Sequence, residues 1–146
     1  STGTTWMVVG AGGSELAYAE TLTNTAVTAG SAMQDVPGVA ISIVQPERPL
    51  YLECKSVSRY VPTTTPRDAV IAIYETTTAT PVLVVEAHAP AAANANEYPP
   101  LFDRRRMPAA TPGTTRTFKL SVQQRADAYT LFAAAAFPTW IGAFTS

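Results

Sequence analysis

Apolar and polar residues alternate at period two along much of the chain, the spacing of a strand that buries one face. Thr115–Gln123, TRTFKLSVQ, does so most cleanly: Arg116, Phe118, Leu120 and Val122 share one face, and Thr115, Thr117, Lys119 and Ser121 the other. Leu50–Val57, LYLECKSV, sets Leu50, Leu52 and Cys54 against Tyr51, Glu53 and Lys55. In Glu15–Asn24, ELAYAETLTN, Leu16, Tyr18 and Leu22 fall on one face, and the carboxylate of Glu20 intrudes on it. Further strands are predicted at Val39–Val44, Ala69–Thr76, Val82–Ala87, Leu101–Met107, Tyr129–Ala134 and Thr139–Thr145. Pro37-Gly38, Pro46, Pro49, Pro66 and Pro81 punctuate them, residues 89–100 read as a loop, and Pro108–Thr114 reads as a turn with Pro112-Gly113 at its tip. Ala133–Ala136 suits a helical turn, but beside Leu131, Phe132 and Phe137 it reads as a tightly packed strand and bend.

Eight to ten short strands separated by turn signals predict an all-β chain folded as an antiparallel sandwich or barrel. Residues 15–146 form one domain, preceded by an extended arm over residues 1–14 whose apolar Trp6, Met7, Val8 and Val9 call for a surface to dock on. Three runs, VAISIV, VIAIY and VLVV, are apolar at nearly every position. Strands without alternation are covered on both faces. A chain of 146 residues has little to spare for covering the outside of a sandwich, so an oligomer is expected.

Composition sharpens this reading. Only 14% of residues are charged and the net charge is −1, whereas nucleic-acid binders carry a basic excess. No apolar run approaches the roughly 20 residues that span a bilayer as a helix. No basic-then-apolar signal segment opens the sequence, and the single cysteine, Cys54, allows no intrachain disulfide. Synthesis in a reducing cytoplasm is expected, with no nucleic-acid partner and no membrane insertion.

Candidate chemistry is thin. Catalysis needs convergent reactive groups, and the one histidine, His88, ends an apolar strand with no nucleophile elbow in the chain. Cys54 lies in the apolar pattern of its strand and reads as a small buried residue. One His, one Cys and scattered acids give no zinc-ligand spacing. GAGGS at Gly10–Ser14 lacks the lysine and the spacing of a phosphate-binding loop. The expectation is a protein without enzyme activity, cofactor or metal. Tyr60 and Tyr98, beside prolines in predicted loops, either pin those loops or stack on sugar rings of a glycan.

The remaining feature is LFDRRRMPAATPGTTRTFKL, Leu101–Leu120, which carries Arg104, Arg105, Arg106, Arg116 and Lys119, five of the ten basic residues. In an extended strand Arg104 and Arg106 point one way and Arg105 the other, so the triplet is not a single basic patch. The segment reads as a hairpin whose arginines pair with strand carboxylates, Glu20 among them, or sit at a subunit interface, because a guanidinium binds both carboxylate oxygens at once.

GSELAYAE at Gly13–Glu20, VAISIVQPERPLYLE at Val39–Glu53, RRRMPAATPGTTRTFKL at Arg104–Leu120 and PTWIGAF at Pro138–Phe144 occur in an order and spacing that resembles a domain family of tailed-bacteriophage minor tail proteins, the actinobacteriophage type. The likeness spans residues 13–146. It implies a jelly-roll-like β-sandwich, a homotrimer, a place on the virion surface at a tail or fibre tip in contact with the host envelope, and no enzyme activity. Members of that family usually close a longer chain with a shaft. A stand-alone jelly roll with a short apolar arm also suits a capsid decoration protein held on the head by Trp6–Val9.

Overall fold

The computed structural model of the protein describes residues 14–27, 32–59, 67–89, 100–124 and 129–146. They form ten strands: β1 (Glu15–Thr21), β2 (Thr25–Val27), β3 (Gln34–Val44), β4 (Leu50–Arg59), β5 (Arg67–Glu75), β6 (Pro81–Ala89), β7 (Pro100–Arg106), β8 (Thr115–Gln124), β9 (Tyr129–Phe132) and β10 (Thr139–Thr145). The all-β expectation holds, and every pairing is antiparallel.

The first sheet runs β1-β10-β4-β9-β2, with β7 on the other edge of β4. The second runs β3-β8-β5-β6. Val57 of β4 pairs with Phe132 of β9 on one side and with Pro100 of β7 on the other. Strands β9 and β10 therefore lie end to end along one edge of β4, and β2 and β1 lie end to end beside them. Counting each broken pair as one strand leaves eight. Their order is 1-8-3-6 in the first sheet and 2-7-4-5 in the second, the strand order of a jelly roll, in which every pair of successive strands but 4 and 5 crosses between sheets.

That crossing corrects the expected hairpin of Leu101–Leu120. Strand β7 pairs with β4 in the first sheet, whereas β8 pairs with β3 and β5 in the second. Residues 107–114 are an inter-sheet connection, turning at Gly113, whose φ of 86° suits a glycine. Pro37-Gly38 differs too. It stands inside β3, where the register with β8 shifts between Asp35 and Ala40. Proline lacks the ladder N–H and Gly38 takes a φ of 79°, so the pair makes a bulge and the strand continues. The bulge lets both Val36 and Val39 turn inward and be buried.

The core lies between the sheets. Leu50, Leu52, Cys54, Leu101, Ile141 and Ala143 of the first meet Ile41, Ile43, Ile71, Ile73, Leu83, Phe118 and Leu120 of the second, all buried. Within it the hydroxyls of Ser56 and Thr139 satisfy each other at 2.8 Å, as buried polar groups must. The apolar runs divide. All five residues Ala69–Ile73 of the central β5 are buried, so Val70 and Ala72 are covered on the second sheet's outer face. In β3, burial alternates instead, and Val44 stands 60% exposed.

One end of the sandwich is closed by charge. Arg116 turns inward from β8 and grips Glu75 of β5 in a fork: Nε donates to Oε1 at 2.8 Å and Nη2 to Oε2 at 3.0 Å. Its Nη1 donates to Gln45 Oε1 at 2.8 Å, and its guanidinium carbon sits 5.0 Å from the centre of the Phe118 ring. The hydrogen bonds from Arg116 hold the Glu75 carboxyl below its ordinary value of 4.5. A carboxyl depressed in the folded state contributes stability that is whole above the unfolded pKa and is lost as pH falls through the folded one. Glu75→Gln is expected to cost about 1–3 kcal/mol at neutral pH and to flatten the loss of stability below about pH 4.5, read from urea midpoints across pH.

Candidate functional site: an aromatic and charged sheet face

The outer face of the first sheet is set by the register of four strands, and its residues form three rows. Glu20 of β1 opposes Trp140 of β10, which opposes Lys55 of β4, which opposes Phe102 of β7. In the next row stand Tyr18, Gly142, Glu53 and Arg104. The third holds Glu15, Phe144, Tyr51 and Arg106, with Leu16 beside Glu15 where the β1 register shifts. Five aromatic rings thus lie on one face of a sheet whose other face is the core.

The rings touch. Tyr18 and Trp140 lie with centroids 5.5 Å apart, and Phe102 meets Trp140 edge-on at 6.5 Å. Arg104 stacks over Tyr51, 4.6 Å from the ring centre, and its Nη1 donates to Glu53 Oε1 at 2.9 Å. Gly142 makes room for them. A Cβ built there would lie 2.7 Å from Cε2 and 2.9 Å from Cζ of Phe144, and 3.4 Å from Trp140. The Phe144 ring occupies the space over the glycine. Tyr18 is 42% and Phe102 54% exposed, so a large apolar area faces outward.

Strand β1 is turned over relative to the sequence expectation. Leu16, Tyr18 and Leu22 are exposed, whereas Ala17 and Ala19 pack on the core. Small side chains fit the narrow space where β1 closes the sandwich, and the large ones are left outside. Glu20 is accordingly exposed and, among the described residues, pairs with no arginine; its Oε2 accepts the Tyr18 hydroxyl at 2.7 Å. Partial burial and that carboxylate push the Tyr18 hydroxyl up to about 12. The carboxylate opposite the triplet is Glu53, one residue from the buried Leu52 and Cys54.

Arg104 and Arg106 lie on the outer face, and Arg105 lies on the other, its Nη1 reaching toward the Val82 carbonyl of β6 at 3.5 Å. All three are exposed. Trp6, Met7, Val8, Val9, Tyr60 and Tyr98 lie outside the described residues. His88 sits in the edge strand β6, opposite Asp68. Cys54 is buried, and that burial with the nearby Asp103 and Glu53 pushes its thiol up to about 12. On the second sheet, partial burial of Asp35 is outweighed by hydrogen bonds from Lys119 at 3.0 Å and Ser121 at 2.9 Å, which hold its carboxyl low. Among the described residues no group of three or more His, Cys, Asp or Glu could hold a metal ion. The aromatic face escaped sequence reading because its members come from four separated segments. The signal was there in TWIGAF, where aromatics flank Ile141-Gly142.

No family model and no curated protein matches the chain. Among solved structures, the Eiger TNF from S. frugiperda is similar over 91% of this chain and 94% of that one, with 8% identity and a TM-score of 0.44. A structure of infectious bursal disease virus, Gt strain, is similar over 84% of this chain and 39% of that one, with 10% identity and a TM-score of 0.24. The fold assignment rests on the strand order itself and not on these neighbours.

Proposed function

We propose that the protein is a non-enzymatic structural component of a tailed-bacteriophage virion, a minor tail or fibre-tip subunit displayed on the particle surface. The observation that carries this reading is the outer face of the first sheet. Aromatic rings interleaved with both signs of charge suit a protein contact, where Tyr, Trp, Phe and Arg are enriched. The jelly roll supports it by supplying a rigid sheet on which such a face is held. The order of GSELAYAE, VAISIVQPERPLYLE and PTWIGAF supports the tail assignment by its resemblance to minor tail domains.

Quantitative mass spectrometry of purified particles tests it. A handful of copies per virion, labelled at the tail by antibody, is the expected result. Hundreds of copies on the head would replace the tail reading with capsid decoration, and absence from washed particles would overturn both.

A further inference from the structure

We propose that the outer face of the first sheet is where further copies of this chain pack head to tail, the basic β7 side of one copy against the acidic β1 side of the next. This deepens the reading above, and it rests on that reading for the expected number of copies, three.

The rows of the face carry a charge gradient. Glu15 and Glu20 stand on β1, the aromatic rings occupy the middle, and Arg104 and Arg106 stand on β7, with Lys55 beside Phe102. Arg104 is already engaged by Glu53. Among the described residues Glu15, Lys55 and Arg106 have no ion-pair partner, although all three are exposed on a sheet dense with charge. A surface acidic along one side and basic along the other is complementary to itself. A second copy carries the matching charges in the matching spacing, whereas any other partner must have acquired them separately.

Area decides between a closed pair and a ring. Four strands at about 4.8 Å and three rows along them give a patch on the order of 300–400 Å². Two such patches laid face to face reach roughly half of the standard interface of about 1,600 Å². In a head-to-tail ring the β7 side meets one neighbour and the β1 side the other, so the two edges of the sheet are engaged in addition to its face. Phe102 suits the β7 contact, because it is 54% exposed and stands on that edge strand.

The test uses the full chain and two charge reversals at the residues without partners. Wild type is expected to sediment as three copies and to dissociate toward about 1 M salt, where the Debye length falls to roughly 3 Å. Glu15→Arg and Arg106→Glu each put like charges across the contact and are expected to raise the assembly midpoint concentration by about tenfold or more. The combination E15R/R106E restores opposite charges with their sense reversed and is expected to recover most of the loss. Circular dichroism melts keep a folding defect separate from an assembly defect. A wild-type monomer at every concentration would sink the proposal. So would an assembly indifferent to both single reversals, or a double variant no better than the worse single. A two-copy mass would overturn the ring. Solution mass is independent of particle content, so this inference and the virion reading fail separately.

Discussion

Replacing Phe118 by alanine is expected to lower the unfolding free energy by about 3–5 kcal/mol, the range for emptying a phenylalanine site in a packed core. Phe118 is fully buried on the inner face of β8, opposite Ile41 of β3 on one side and Glu75 of β5 on the other. The cavity would open in the middle of the second sheet, where strands on both sides hold the walls apart. A second loss adds to it. The Arg116 guanidinium rests over this ring at 5.0 Å while it grips Glu75, so the end of the sandwich loses its apolar support as well. A chain of this length has a total stability of roughly 7–20 kcal/mol, so the variant stays folded but is weakened. Urea unfolding at fixed protein concentration should move the midpoint with little change in slope. A loss under about 1 kcal/mol would mean that the walls collapse into the space and that the core is less rigid than its burial implies.

Much of this fold was legible because alternation is a local signal. The inward set Arg116, Phe118, Leu120 and Val122 follows from period two alone, as do the opposed directions of Arg104 and Arg105. What escaped depended on partners far along the chain. The hairpin expected at Pro108–Thr114 was a crossing between sheets, because a polar, proline-rich connection has the same composition in either case. The face of β1 was misassigned because size outvoted hydropathy: Ala17 and Ala19 fit the closed side, and Leu16 and Tyr18 do not. Glu20 followed them outward. The apolar runs were ambiguous for a related reason. Val70 is covered in a central strand, yet Val44, on the edge strand β3, is not, and nothing in either residue's neighbours in sequence distinguishes them. The aromatic face is the extreme case, since β1, β4, β7 and β10 must all be in place before Tyr18, Tyr51, Phe102, Trp140 and Phe144 share a surface.

Gly142→Ala is expected to separate that surface from the fold beneath it. A methyl group at residue 142 would meet the far end of the Phe144 ring at 2.7 and 2.9 Å, distances that real Cβ atoms do not tolerate. The obstacle is a side-chain tip and not backbone, so the ring can swing away and the strand can stay. Alanine also removes the conformational freedom that glycine brings to the unfolded chain, worth about 0.5–1 kcal/mol. The two effects oppose each other, and the thermal midpoint of the isolated subunit should move little. The face is altered nonetheless. Phe144 leaves its place over Gly142, and Trp140 has the added carbon 3.4 Å away. If copies pack on this face, the assembly midpoint concentration should rise by about tenfold, the size expected when a buried aromatic anchor of an interface is misplaced. Trp140→Ala should do the same by removing the ring that Tyr18 and Phe102 both touch. Sedimentation of the two variants beside wild type, with circular dichroism to confirm the fold, reads the difference. Unchanged assembly in both would mean that the aromatic rings face solvent or a different molecule, and the charge gradient across them would then belong to that partner.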